Sequence, residues 1–170
     1  VYSPGLTDFV IMTQGESHMF ITGPEVIKTV TAEEIDMETL GGAMTHSSVS
    51  GVAHFVGANE EDSFAVVRKL LSYLPSNNTE SPPRIPPTAD PTRADSALDT
   101  LVPVDPSQMY DMREAINRVF DLGSFFEVHA RFAPNAVVGF ARLNGEVVGV
   151  IANQPAHTAG KAFDGDARTR

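Results

Sequence analysis

The chain has 170 residues, 42% of them hydrophobic, with 22 acidic against 12 basic residues and a formal net charge of -10. That is enough for one domain with a real core or for parts of two, and the composition is globular rather than disordered. The acidic balance argues against a nucleic-acid surface, which needs clustered Lys and Arg against phosphates. The absence of cysteine excludes disulfides, thiolate chemistry and zinc-thiolate sites, and it fits a reducing compartment. No apolar run approaches the about 20 residues of a membrane helix, and no charged-then-apolar leader is present. The chain opens on Val1 within an apolar segment and reads as an excerpt from something longer.

Two short β-prone runs, Thr7–Thr13 and His18–Thr22, flank the turn-like Gln14-Gly15-Glu16-Ser17 and predict a hairpin or strand pair. Gly23-Pro24 offers a helix start, with Pro24 in the first helical position and Glu25 near the positive end of the dipole. Thr31-Ala32-Glu33-Glu34 reads as a capping box, predicting a further helix to about Leu40 that stops at Gly41. The stretch Leu40–His54 then holds three glycines, two histidines and four hydroxyl side chains. Gly41-Gly42 is expected to permit a positive φ or a close approach to a ligand, so the stretch is either a helix cap with a polar connector or a ligand-contacting loop.

Asn59 can cap the next helix, with Glu60, Glu61 and Asp62 in its first turn, a predicted apolar face of Phe64, Val67, Leu71 and Leu74, and Pro75 as its end. Eight of the 12 prolines lie between Pro75 and Pro106, which precludes a long helix or a central strand there. That segment is a flexible linker or an ordered strap anchored by Leu98, Leu101 and Val102, and it marks the boundary between two structural units. Beyond it, Asp111 predicts the cap of a helix with Met112, Ile116, Val119 and Phe120 on one face, and Gly123 past its end. Ser124–Ala133, with three phenylalanines, is expected to be a buried crossing. Ala136–Leu143 and Glu146–Ala152 read as strands joined by Asn144-Gly145, the strongest short hairpin signal.

The side chains offer little conventional chemistry. His46 and His54 are eight residues apart without a third ligand, and His18, His129 and His157 are isolated, so no metal site is expected. No nucleophile elbow and no Walker or dinucleotide glycine pattern occurs. Glu33-Glu34 and Glu60-Glu61 fall in expected first helical turns, where the helix dipole accounts for them. Backbone amides in glycine-rich turns are therefore better candidates for catalysis than a titrating side chain, because they can hold a developing oxyanion.

Several segments together resemble one family. They are Val1–Phe9, Phe20–Pro24, Leu40–His46 with its Gly-Gly-Ala-Met-Thr-His, Ser50–His54, Leu74–Asn78, Leu98–Pro103, Tyr110–Met112 and Val148–Pro155. In order and rough spacing through Val1–Gly160 they are similar to the carboxyltransferase (β) subunit of biotin-dependent acyl-CoA carboxylases, most closely the propionyl-CoA carboxylase type. The resemblance implies an α/β crotonase-like fold in two incomplete domains. Residues 1–80 would be the C-terminal part of the N-terminal carboxyltransferase domain, 81–106 a Pro-rich connector, and 107–170 the start of the C-terminal domain.

The implied reaction moves a carboxyl group from carboxybiotin to the α-carbon of propionyl-CoA or another short acyl-CoA, with each oxyanion held by a pair of backbone amides. Related alternatives are the carboxyltransferase subunit of a methylmalonyl-CoA or glutaconyl-CoA decarboxylase, or of a transcarboxylase. A non-catalytic interaction fragment is a third. The resemblance places a biotin-side oxyanion amide at Gly160 and substrate contacts at Gly41, Gly42, Ser50, Gly51, Asn153 and Gln154. After Gly160 the chain departs from the family, with Lys161-Ala162-Phe163-Asp164-Gly165 where an apolar residue and Leu-Asp-Ile usually follow. The family's two oxyanion-forming Gly-Gly-Ala motifs are expected before Val1 and beyond Arg170, and Gly41-Gly42-Ala43 is not one of them, so the 170 residues alone are expected to be inactive. Biotin on a biotin carboxylase or carrier partner, an acyl-CoA substrate and a dimer-based homo-oligomer, a hexamer, are the implied companions. The implied setting is the bacterial cytoplasm or the mitochondrial matrix, with no nucleic acid, membrane or metal.

Overall fold

The structure is a computed structural model, which describes residues 2–88, 90 and 92–157. Contacts divide the described chain into two units, residues 2–68 and residues 69–157. Among the described residues, no helix is long and apolar enough to cross a membrane.

The first unit holds α1 (Tyr2–Gly5), β1 (Ile11–Thr13), α2 (Pro24–Thr31), α3 (Met37–Gly41), α4 (Ala43–Ser48), β2 (Phe55–Gly57) and the start of α5 (Glu60–Leu71). The hairpin expected of Thr7–Thr13 and His18–Thr22 does not form. Instead β1 pairs in parallel with β2, Met12 opposite Val56. The chain turns away from β1 because the Thr13 carbonyl accepts the Ser17 amide, the Ser17 hydroxyl accepts the Thr13 amide, and Gly15 takes φ +73. The second run contributes a single bridge, His18 to Gly42. The core of the unit is Val10, Met12, Ala43 and Ala53.

The capping box expected at Thr31 is also absent. Ala32 takes a left-handed conformation with φ 58, and its amide closes α2 on the Lys28 carbonyl. The Thr31 hydroxyl bonds back to the Ile27 carbonyl, so it satisfies its own helix and starts none. The next helix begins five residues later, where the Asp36 carboxylate accepts the Thr39 amide. Asn59 caps α5 as expected, accepting the Asp62 amide at 2.9 Å. The buried side of α5 differs from the expected one: Phe64 and Leu71 are exposed, while Ser63 and Leu70 are buried. Ser63 turns inward because its hydroxyl bonds that of Thr13 at 2.8 Å, a polar pairing that an apolar-period reading misses.

The second unit contains the end of α5, α6 (Leu98–Leu101), α7 (Met112–Val119), β3 (Phe126–Val128), β4 (Ala136–Leu143) and β5 (Glu146–Asn153). The three strands form an antiparallel sheet with β4 in the middle. Asn144 and Gly145, at φ 52 and φ 80, make the tight turn that the sequence predicts. Strand alternation sends Val137 and Ala141 to one face, where they join Ile116 and Val150 in the core. On the other face, Phe140 stacks on Tyr73, which also stacks on Phe126. α7 starts at Asp111 as expected, but Val119 is half exposed and Ile116 carries the burial.

Arg142 is buried on that second face. Its guanidinium donates to the carbonyls of Ser72 at 2.7 Å, Pro83 at 2.7 Å and Gly145 at 3.1 Å, and it lies over the Tyr73 ring. The Ile85 amide donates to the Gly145 carbonyl, and Arg93 donates to the Phe120 carbonyl. The proline-rich segment therefore lies as an ordered strap along the second unit.

His129, at φ 57, packs near Phe132, and burial holds its imidazole below its ordinary value near 6.5. A depressed histidine leaves stability intact above the unfolded value and removes it as pH falls through the folded one. Stability should therefore decline as pH drops from about 7.5 to about 5.5, spanning the unperturbed histidine value. His129→Asn, which tolerates the left-handed backbone, should flatten that decline. Thermal melts across this range check it; an unchanged slope in the variant would assign the decline elsewhere.

Candidate functional site

The candidate residues fall into two groups, one in each unit, and Gly160 lies outside the described residues. In the first unit, Gly41 ends α3 and Gly42 links it to α4. Gly42 has φ -71, so the positive φ expected of this pair does not occur there. What the two glycines provide is close packing. A Cβ on Gly41 would meet the Met19 carbonyl and lie 2.8 Å from the Phe20 ring, and one on Gly42 would lie 2.6 Å from the Glu38 carbonyl oxygen. Both residues are buried and their backbone groups are engaged: the Gly41 carbonyl accepts the Met19 amide, and the Gly42 amide donates to the Glu38 carbonyl.

Ser50 and Gly51 follow α4, with Ser50 exposed and Gly51 at φ +70. His46 joins this turn to the glycine pair. Its Nε2 is 2.5 Å from the Met19 carbonyl oxygen and its Nδ1 is 2.8 Å from the Ser50 hydroxyl. A carbonyl only accepts, so in the neutral ring Nε2 carries the proton and Nδ1 accepts from Ser50. The Ser50 hydroxyl also accepts the Val52 amide at 3.3 Å. His18 pairs with Glu38 at 3.0 Å on the same side of the glycine pair. In the sequence, His46 stands in the Leu40–His46 segment of the resemblance and lacks metal-ligand partners. Its four-residue spacing to Ser50, one helical turn, was the available signal.

In the second unit, Asn153 is the exposed last residue of β5, and Gln154 is buried at 2% exposure. The Gln154 Oε1 accepts the amides of Met112 at 3.0 Å and Ala156 at 3.3 Å, and its Nε2 donates to Asp111 at 2.5 Å. Asp111 also accepts the Arg113 amide at 2.9 Å, and Arg113 makes a two-pronged pair with Glu127. Burial alone would push the Asp111 carboxyl up, but the hydrogen bonds from Gln154 and the Arg113 amide outweigh it and hold the carboxyl below its ordinary value. Asp111 was legible in the sequence as a helix cap; its link to Gln154 spans 43 positions and has no local signal.

A cavity of about 450 Å³ lies elsewhere in this unit, between the strap and the end of α7. Its charged lining is largely committed to the fold: Arg118 binds Asp95 and Glu114, Arg93 binds the Phe120 carbonyl, and Asp121 accepts the amides of Asn144 and Gly145. Among the described residues, no three His, Asp or Glu side chains form a group that could hold a metal ion.

The carboxyl transferase domain family matches residues 1–170. The propionyl-CoA carboxylase carboxyltransferase subunit of Haloferax mediterranei is 56% identical over 160 residues, covering 94% of this chain and 31% of its own length. The methylmalonyl-CoA decarboxylase subunit alpha of Veillonella parvula is 52% identical over 160 residues, with 94% and 31% covered. Among solved structures, the transcarboxylase 12S hexamer with methylmalonyl-coenzyme A and methylmalonic acid bound superposes with a TM-score of 0.88 at 46% identity. That match covers 92% of this chain and 30% of the transcarboxylase chain. The chain thus spans about a third of the curated relatives it matches.

Proposed function

Because the chain belongs to the carboxyl transferase domain family, we propose that the protein carrying it is the carboxyltransferase component of a biotin-dependent acyl-CoA carboxylase. The reaction is transfer of a carboxyl group to the α-carbon of propionyl-CoA or another short acyl-CoA. The observation that carries this reading is the family match over residues 1–170, joined to 56% identity with a propionyl-CoA carboxylase carboxyltransferase subunit. Biotin, carried on a partner subunit, supplies the activated carboxyl group. The residue proposed to meet its oxyanion, Gly160, lies outside the described residues.

The chain's own residues divide by exposure. Ser50 and Asn153 are exposed and Gly51 is partly so, and these three are the proposed substrate contacts. Gly41, Gly42 and Gln154 are buried and engaged, and they act behind those contacts by setting backbone position. Backbone amides suit the task because a fixed donor needs no reorganisation as charge develops on an oxygen. Residues 1–80 and 107–170 are proposed as parts of two carboxyltransferase domains with 81–106 as connector. The assembly is proposed to be a homo-oligomeric hexamer, as in the transcarboxylase neighbour.

The test is the reverse reaction in the full-length protein, biotin-dependent conversion of methylmalonyl-CoA to propionyl-CoA. Conversion that requires free biotin supports the proposal, and a protein that binds the ester without biotin-dependent turnover overturns it. A second reading, a decarboxylase or transcarboxylase subunit, is favoured by the Veillonella relative and the transcarboxylase structure. These differ in the partner that receives the carboxyl group, so the partner that co-purifies separates them.

A further inference from the structure

We propose that Gln154 is a positioning residue for carboxyl transfer, fixing the backbone that leaves β5 against the start of α7. This rests on the carboxyltransferase reading above and deepens it. Gln154 is at the point where the sheet hands the chain on, directly after Asn153, the exposed last residue of β5 and a proposed substrate contact. At 2% exposure its side chain presents almost no surface, so the proposed influence passes through the backbone.

The geometry supports that role. One carboxamide joins three pieces of chain: its oxygen takes the first amide of α7 at Met112 and the Ala156 amide of the following turn, and its nitrogen gives a proton to Asp111. The backbone is held at the same place, with the Gln154 amide donating to the Asn135 carbonyl at 2.7 Å and the His157 amide donating to the Gln154 carbonyl at 3.1 Å. A carboxamide oxygen has two lone pairs, and here both are used. Behind it, Asp111 is braced by the Arg113 amide, and Arg113 by Glu127 on β3. The path from Gln154 to the sheet is therefore a continuous chain of hydrogen bonds, in which an apolar side chain of the same volume would take the acceptor from the Met112 and Ala156 amides and leave Asp111 only its Arg113 contacts. An error of about 1 Å in a reacting group can cost about 100-fold in rate, so a backbone anchor of this kind is felt in catalysis.

The charged and titratable groups around Gln154 are Asp111, Arg113 and His157, with Glu127 beyond Arg113. Gln154→Glu preserves shape but sets a second carboxylate against Asp111, and it can restore the bond only when protonated. In the full-length protein, with methylmalonyl-CoA and free biotin as the substrate pair, Gln154→Met should lower kcat by about tenfold or more while KM for the CoA ester changes less than about twofold. Gln154→Glu should approach the wild-type kcat at low pH and lose it as pH rises. Asp111→Asn keeps an acceptor oxygen and should retain activity; Asp111→Leu should not.

Wild-type activity decides the underlying reading separately, hydrogen exchange decides whether Gln154 holds this backbone, and the kcat-against-KM split decides whether that hold is felt in transfer. Loss of protection at the Ala156 and His157 amides in Gln154→Met, with the melting temperature of the remaining protein kept, supports the proposal. Wild-type kcat in Gln154→Met, a KM that rises as much as kcat falls, or unchanged protection of those two amides would overturn it. If Gln154→Met does not fold, the pH profile of Gln154→Glu and the Asp111→Asn against Asp111→Leu contrast carry the same decision.

Discussion

Arg142→Met should destabilise the second unit more than any other single change considered for it, by about 3–5 kcal/mol, because it removes three hydrogen bonds from one charged donor at about 1.5 kcal/mol or more each, leaving the Gly145 carbonyl only the Ile85 amide. The guanidinium serves the carbonyls of Ser72, Pro83 and Gly145, which belong to the end of α5, the strap and the hairpin turn. Removing it unties three segments at once and also takes a cation from the face of Tyr73. Arg142→Lys keeps the charge but not the planar fork, so it should recover only part of the loss. A denaturation midpoint measured on the full-length protein checks the size of the effect. Hydrogen exchange at Ile85, whose amide bonds the Gly145 carbonyl, checks that the strap is what comes loose. A near-neutral Arg142→Met would mean that water or rearranged backbone replaces the guanidinium, and the strap would then have to be held elsewhere.

Gly41→Val should cost the first unit about 3 kcal/mol or more, at or above the upper end of typical overpacking penalties. The added Cβ would run into the Met19 carbonyl and the Phe20 ring, and backbone cannot swing aside as a side-chain tip can. The same displacement would strain the bond from the Met19 amide to the Gly41 carbonyl and the contact of His46 with Met19. Gly42→Val meets the Glu38 carbonyl in the same way. Gly15→Val is the contrasting case: its φ is +73 but open space surrounds its missing Cβ. It should therefore carry only the left-handed backbone cost of about 1–2 kcal/mol. Thermal melting of the three full-length variants ranks them. A Gly15→Val loss equal to that of Gly41→Val would show that backbone conformation outweighs packing around this pair.

Glycine at a helix end suggests positive φ, whereas the coordinates show collision with chain more than 20 positions away in the case of Gly41 and Met19. Only a folded structure reveals that kind of proximity. The β4–β5 hairpin is legible because Asn144-Gly145 writes its turn locally. The parallel pairing of Ile11 with Phe55 is not, since parallel strands need a long connection and leave no turn signature. The buried side of α5 was missed for a related reason: Ser63 is held inward by a hydroxyl from Thr13, 50 positions earlier. Arg142 is the largest omission, a cation in the middle strand whose partners are carbonyls from two distant segments and the adjoining hairpin turn. The family resemblance placed candidate residues in both units, but it did not distinguish exposed Ser50 and Asn153 from buried Gly42 and Gln154.

Carboxyl transfer to an acyl-CoA is tested most directly in the forward direction. The full-length protein is combined with its biotin-bearing partner, ATP, isotopically labelled bicarbonate and propionyl-CoA, and the CoA esters are resolved by mass spectrometry. The expected result is label in methylmalonyl-CoA, abolished when the carboxyltransferase protein is left out while the biotin of the partner still becomes carboxylated. Carboxylated biotin that accumulates in the complete mixture, with no label in propionyl-CoA or any other short acyl-CoA offered, would contradict the proposed function.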